Sequence, residues 1–351
     1  MNTFLYLVKF IAFISVIIIH TRFPGALGKV IDAYARFAVP FFFSVSGRFL
    51  VPYHIREAND IRKKVFYSLK KILKVTILCY SVYLIYSFIF HVFYEISPLE
   101  WFDSKFNLSE LKIFLLFNSG KFIYDGSYTF DHMWYLFALI YVYVLIIIFA
   151  GVLRKWYKWL TVGLLGLLYF GELLQTYYPI RPFDISITTW YILRNWLLMG
   201  MPFVLLGIWF SDYISELSER LSKKEFFQKR CLFMKKGVVF LLAGLILCPT
   251  EVLFFDKKEC PLGALFIVVG ILFLSESGIS GGKYLWKIGK DASASIYLYH
   301  VLIISVIDIL SSRGVICIIP MALKPFVIIF ICIIVFYFLP KVIKEKRSKN
   351  E

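Results

Sequence analysis

Lys9 and His20 are the residues whose types and spacing first suggest chemistry. They bound the stretch KFIAFISVIIIH, in which ten uncharged residues separate an ammonium from an imidazole. Ionisable groups are costly in a segment apolar enough to enter a bilayer, and there they mark a functional site by default. Eleven residues make about three helical turns, so the two share a face with a rise of about 16 Å between them. A neutral imidazole suits a general base acting on a hydroxyl, and an ammonium suits holding an anionic group. The plainer reading is that His20 marks the membrane interface and Lys9 snorkels to the headgroups.

Composition sets what must position them. Of 351 residues, 60% are hydrophobic and 19% aromatic, and mean hydropathy is +0.75. Soluble domains hold about 45–50% apolar residues. Here the excess falls in runs of about 20 residues, the length of a membrane-crossing helix. The expected fold is all-α, a polytopic integral membrane protein of about ten transmembrane helices. A β-barrel would alternate in short segments instead. The expected spans are 4–21, 31–51, 72–94, 132–151, 159–178, 189–210, 237–255, 261–277, 292–311 and 316–339. ELKIFLLF (110–117) is too short to span and suits an interfacial or re-entrant helix. Residues 1–20 also admit a signal peptide reading, with Ala26-Leu27-Gly28 as a faint cleavage site. Lys9 inside the run favours a retained first helix.

The net charge of +16 does not read as nucleic-acid binding, because the cations sit in the gaps between apolar runs. Those in the gaps after spans two, four, six and eight and in the tail number 25, against 9 in the alternate gaps. The positive-inside rule then places both termini in the cytoplasm and the 95–131 connection outside. Lys9 lies toward the cytoplasm and His20 near the outer end of its span. One membrane domain, 1–351, is expected, with 340–351 a basic cytoplasmic tail. The six cysteines show no C-x-x-C spacing and read as packing thiols, with neither metal site nor disulfide framework.

Further polar groups interrupt the apolar runs. RFAVPFFFSVSGRFL opens on Arg36 at a depth comparable with His20. Pro40 is expected to loosen that helix, and Ser44, Ser46 and Gly47 form a patch for close packing or substrate passage. Arg48 lies near the inner end. Arg194 and Glu251 are intramembrane groups that need partners. Arg194 suits either Glu251 or a donor phosphate. His132, beside Asp131, suits a second base or substrate orientation, with an interfacial role preferred. A buried packing or hydrogen-bonding role is preferred for His300, in YLYH. His54 and His91 read as interfacial.

These segments resemble acyltransferase family 3 of integral membrane acyltransferases. Lys9-x10-His20 is similar to the family's R/K-x10-H motif, and RFAVPFFFSVSGRFL to the segment after it. YSLKKILKV (67–75), DHMWYLFALIYVYVL (131–145), MPFVLLGIWF (201–210) and IGKDASASIYLYH (288–300) resemble later segments in the family's order. The basic segment departs in being all Lys, which lacks the bidentate grip of Arg on phosphate. The resemblance implies transfer of an acyl group, usually acetyl, from cytoplasmic acyl-CoA to a hydroxyl of an extracytoplasmic or lipid-linked glycan. His20 would be the essential catalytic residue and Lys9 the motif's cation.

Acyl-CoA (acetyl-CoA) is then a donor co-substrate, and no permanently bound cofactor is expected. Its phosphates favour Arg48, Lys70, Lys71 and Lys74, with its arm running past Lys9 through a channel lined by the Lys9–His20 face and the Ser44–Gly47 patch. The expected acceptor contacts are Arg36, Ser44, Ser46, Asp131, His132, Trp134, Tyr135, Arg194, Glu251 and His300. Tyr128 joins Asp131, Trp134 and Tyr135 as a sugar platform. The expected setting is the bacterial inner membrane, as a multi-pass protein in the lipid bilayer, and a homodimer is compatible with it. The competing readings are a transporter or flippase, which buried cations and kinked helices also suit, and a membrane module supplying substrate to a separate enzyme. Paired repeats would favour transport, and none is visible.

Overall fold

In hydrocarbon every backbone polar group must be satisfied within the chain, so long apolar runs close their hydrogen bonds as helices. The computed structural model describes residues 2–52, 55, 57–93, 96–124, 130–177, 194–255 and 259–350, and no strand occurs among them. Its helices are α1 (Thr3–Thr21), α2 (Gly25–Ala35), α3 (Ala38–Leu50), α4 (Ala58–Phe93), α5 (Pro98–Phe106), α6 (Leu108–Phe117), α7 (Trp134–Ile148), α8 (Ala150–Tyr177), α9 (Met201–Arg220), α10 (Lys223–Phe255), α11 (Leu262–Leu274), α12 (Leu285–Asp291), α13 (Ser293–Ser312), α14 (Lys324–Ile333) and α15 (Leu339–Asn350). A 3-10 turn, Asp131–Met133, precedes α7. π turns at Trp196–Gly200 and Ile334–Phe338 lead into α9 and join α14 to α15.

Among the described residues, seven helical stretches are long and apolar enough to cross a membrane: Thr3–Thr21, Ala58–Val92, Asp131–Ile148, Trp196–Arg220, Lys224–Phe255, Ser293–Ser312 and Lys324–Lys346. An all-α membrane protein is therefore observed, with boundaries that differ from the expected ones in instructive places. The second expected span is two helices, because the chain breaks at Arg36–Phe37. Pro40 does not loosen a helix there. It falls in the first turn of α3, where its missing N–H is one that no helix would satisfy. Apolar α11 has only 13 residues, a rise of about 20 Å against a hydrocarbon thickness of about 30 Å. The last expected span begins at Lys324, not at 316.

The basic connections are largely helical. The 62–74 cations lie in the first half of the 36-residue α4, and Arg154, Lys155 and Lys158 lie in the first turns of α8. Lys and Arg are good helix formers, and 36 residues rise roughly 54 Å. Such a helix outruns the hydrocarbon and carries its cations into water.

The chain's contacts gather into two units, residues 1–39 with 228–351 and residues 40–227. In the first, α1 packs against α2, α12, α13 and α14. Its core includes Phe13, Ile17, Ala292, Ile296, Ile304, Ile328 and Cys332. Helix α12 approaches through Gly289, where any Cβ would strike the Tyr6 carbonyl. In the second unit, α4 packs on α7, and α8 on α9. Helices α3 and α9 meet through Gly47 against the Val204 backbone and Gly207 against the Ser44 backbone. Small residues let membrane helices approach this closely.

Candidate active site

Helix α1 is fixed at both ends. The Asn2 side chain accepts from the Leu5 N–H at 3.0 Å and donates to the Ser275 carbonyl at 2.7 Å. At the far end the Arg22 N–H donates to the Ile18 carbonyl at 2.7 Å. This closes the last turn with Arg22 at φ 51, ψ 139, a conformation sparsely populated by residues other than glycine.

The packing of α1 on α13 brings two imidazoles together. The rings of His20 and His300 have centroids 5.1 Å apart and planes inclined at 60°. His300 is fully buried. Its Nδ1 lies 2.8 Å from the Tyr297 carbonyl and 3.1 Å from that of Ile296. A carbonyl only accepts, so Nδ1 carries a proton and Nε2 is the nitrogen whose proton can come and go. His20 is half-buried. The sequence gave His300 a packing role; the fold makes it the neighbour of the proposed base.

At the other end of this face the Lys9 ammonium stands 5.4 Å from the Tyr6 ring centroid. Between Lys9 and His20, Phe13 and Val16 lie on the same side of the helix, at 0% and 3% exposure. The channel expected along this face is therefore filled, because Phe13 belongs to the apolar core that joins α1 to α13.

A cleft of about 470 Å³ opens just beyond His20, lined by Arg22, Phe23, Pro24, Gly25, Gly28, Lys29, Asp32, Ala33, Arg36, Val252 and Met321. Arg36 is buried in its wall. Its Nε donates to Asp32 Oδ2 at 3.0 Å and its Nη1 to Glu259 Oε2 at 2.8 Å. A volume of this size suits a small ligand. Sequence reasoning found Arg36 but missed Arg22, Lys29 and Asp32; their signal was the density of polar residues directly after His20.

The remaining expected contacts are placed as follows. Glu251 accepts the N–H groups of Leu262 and Gly263 at 2.9 and 2.8 Å, so it caps α11. In the 40–227 unit, Arg194 does not lie within a helix, because its neighbour Asn195 caps the π turn by accepting from Leu197 and Leu198. Arg194 donates to the Tyr124 hydroxyl at 3.2 Å and lies over the Trp134 ring at 5.4 Å. Ser46 pairs with the Tyr135 hydroxyl at 3.2 Å. Ser44 is fully buried, and its backbone meets Gly207, so this patch serves close packing and not passage.

The sugar platform is also corrected. Trp134 and Tyr135 are 4% and 8% exposed, with ring centroids 5.9 and 4.5 Å from that of Phe43; their faces are used inside the unit. His132 is 2% exposed and edge-on to Tyr83 at 5.1 Å, which overturns its interfacial reading. Asp131 is half-buried, and Tyr128 and His54 lie outside the described residues. Lys70, Lys71 and Lys74 are exposed along α4, and Arg48 lies over the Phe210 ring at 5.4 Å. A network the sequence did not suggest joins Arg154, Tyr157 and Asp212. Asp212 Oδ2 accepts from both partners at 2.6 Å.

The family model for an acyltransferase domain, acyltransferase family 3, matches residues 2–343. The chain belongs to this family. The match takes in both units and nearly the whole chain, so the imidazole pair and the cleft both fall within the acyltransferase domain. No curated protein and no solved structure matched this acyltransferase.

Proposed function

We propose that the acyltransferase moves an acetyl group from cytoplasmic acyl-CoA to a hydroxyl of an extracytoplasmic or lipid-linked glycan, in a bacterial inner membrane. The observation that carries this reading is the His20–His300 pair at the end of α1 that borders the cleft. A hydroxyl is a weak nucleophile until its proton is removed, and an imidazole removes it near neutral pH. In the proposed step His20 takes the proton as the acceptor oxygen attacks the thioester carbonyl carbon. The C–O bond forms, the C–S bond breaks, and the proton passes to the departing CoA thiolate. His300 holds its own proton on Nδ1 against Tyr297, which orients the ring beside His20. Lys9 is proposed to hold the donor, and Arg48, Lys70, Lys71 and Lys74 to attract its phosphates.

Because Phe13 and Val16 fill the face between Lys9 and His20, the donor's arm reaches His20 only where that packing gives way or by another route. The test follows acetyl transfer from labelled acetyl-CoA to cell-surface glycan, read by mass spectrometry and CoA release. The wild type acetylates and His20→Ala, present in the membrane at the wild-type level, does not. A folded His20→Ala variant that acetylates the native acceptor at the wild-type rate overturns the assignment.

A further inference from the structure

We infer that the cleft beyond His20 binds an acidic group of the acceptor, a phosphate or a carboxylate, through Arg22 with Lys29 beside it. This deepens the proposed function and rests on that reading in taking the cleft as the acceptor's site. The charges facing the cleft are Arg22, Lys29, Asp32 and Arg36. Arg36 is matched within the wall by Asp32 and Glu259, so that group offers a ligand little net attraction. Arg22 differs. It is exposed and makes no ion pair among the described residues. Lys29 is also exposed on the lining. A guanidinium presents a planar fork matched to carboxylate and phosphate oxygens.

Two independent observations sharpen this. The Arg22 backbone is held at φ 51, ψ 139, where glycine would sit without strain. Strain of this kind persists when the surroundings impose it and clusters at ligand clamps. Moreover, Arg22 and Lys29 belong to the 9 cations on the sparsely charged side of the chain, against 25 on the other. The positive-inside rule accounts for the larger set and leaves these two without a topological reason.

The test measures binding to the full chain in lipid nanodiscs by intrinsic fluorescence. Its probes are glucuronate, glucose 1-phosphate and, as the neutral control, glucose. At least one anionic probe saturates, glucose does not saturate over the same range, and affinity falls as salt is raised. Saturation by glucuronate alone assigns a sugar carboxylate, and by glucose 1-phosphate alone a sugar-linked phosphate. Arg22→Gly removes the cation and relieves the strain, so it unfolds at a higher temperature than wild type yet binds the anion at least tenfold more weakly. Arg22→Gln/Lys29→Gln weakens binding further, and His20→Ala leaves it unchanged. Equal binding of glucose and the anions, or wild-type affinity in Arg22→Gly, overturns the inference. Anion binding by a wild type that transfers no acetyl group sinks the proposed function and leaves the cleft assignment standing. Acetyl transfer to the native acceptor that Arg22→Gly does not alter sinks the cleft assignment alone.

Discussion

The imidazoles of His20 and His300 lie 5.1 Å apart, centroid to centroid, although 279 residues separate them in the chain. The Tyr297 carbonyl takes the Nδ1 proton of His300. That bond both aims the ring and selects its tautomer, so the pair has one nitrogen arrangement and not several. Asparagine can reproduce the Nδ1 donor but has nothing in place of Nε2. We expect His20→Ala to lower the acyl-transfer rate by about a hundredfold to ten-thousandfold. His300→Asn lowers it by less while leaving thermal unfolding near wild type. Equal rates in His300→Asn and wild type would assign His300 to packing alone.

Arg36 ties α2 to Glu259 through two carboxylates, at 3.0 and 2.8 Å, and is 7% exposed. Removing one partner of a buried pair leaves the other charge uncompensated and costs about 3–5 kcal/mol. Arg36→Ala is expected to lose stability on that scale in detergent unfolding. Glu259→Gln should lose less, because Asp32 still holds Nε. A stable Arg36→Ala variant would mean that water reaches these carboxylates.

Close helix contacts give a sharper contrast. At Gly289 a Cβ would strike the Tyr6 carbonyl, and at Gly47 that of Val204, whereas Gly163 in α8 faces open space. Gly289→Ala and Gly47→Ala force backbones apart, an overpacking loss of about 1–3 kcal/mol. Gly163→Ala should instead gain about 0.5–1 kcal/mol, because Ala suits a helix interior better than Gly. Thermal unfolding of the three variants checks the opposite signs.

The cations of α4 are a proposal about the donor. Lys70, Lys71 and Lys74 are exposed, so their effect on a polyanion is screened by salt. Replacing all three by Gln is expected to raise KM for acetyl-CoA several-fold at low ionic strength and to leave kcat near wild type. The difference should shrink in high salt. An unchanged KM at low salt would move the donor's phosphates elsewhere.

The buried carboxylate of Asp212 accepts from Arg154 and Tyr157 at 2.6 Å each and is 2% exposed. A hydrogen bond to a charged group contributes about 1.5–3 kcal/mol. Tyr157→Phe should lose roughly that much stability, and Asp212→Leu more, since it strands the Arg154 guanidinium. A Tyr157→Phe variant as stable as wild type would indicate that Arg154 alone satisfies the carboxylate.

The sequence by itself determined the class of this protein. Apolar runs of membrane length have one inexpensive way to satisfy their backbones, and that is helix. It also determined which groups are anomalous, because Lys9, His20, Arg36 and His300 stand out against apolar neighbours without any structure. Tertiary structure alone decided what those groups meet. Arg36 ends a helix where an unbroken apolar run read as one span, because local hydrophobicity does not record a break that Asp32 and Glu259 stabilise from the side. Trp134 and Tyr135 read as a sugar platform, yet their rings turn inward on Phe43, and one strand of sequence cannot say which way an aromatic faces. Ser44 and Gly47 read as passage or packing; only the carbonyls of the opposing helices made them packing. The partnership of His20 and His300 could not be read from spacing at all, because it depends on α1 and α13 lying side by side, a contact set by glycine-permitted approach and a shared apolar core.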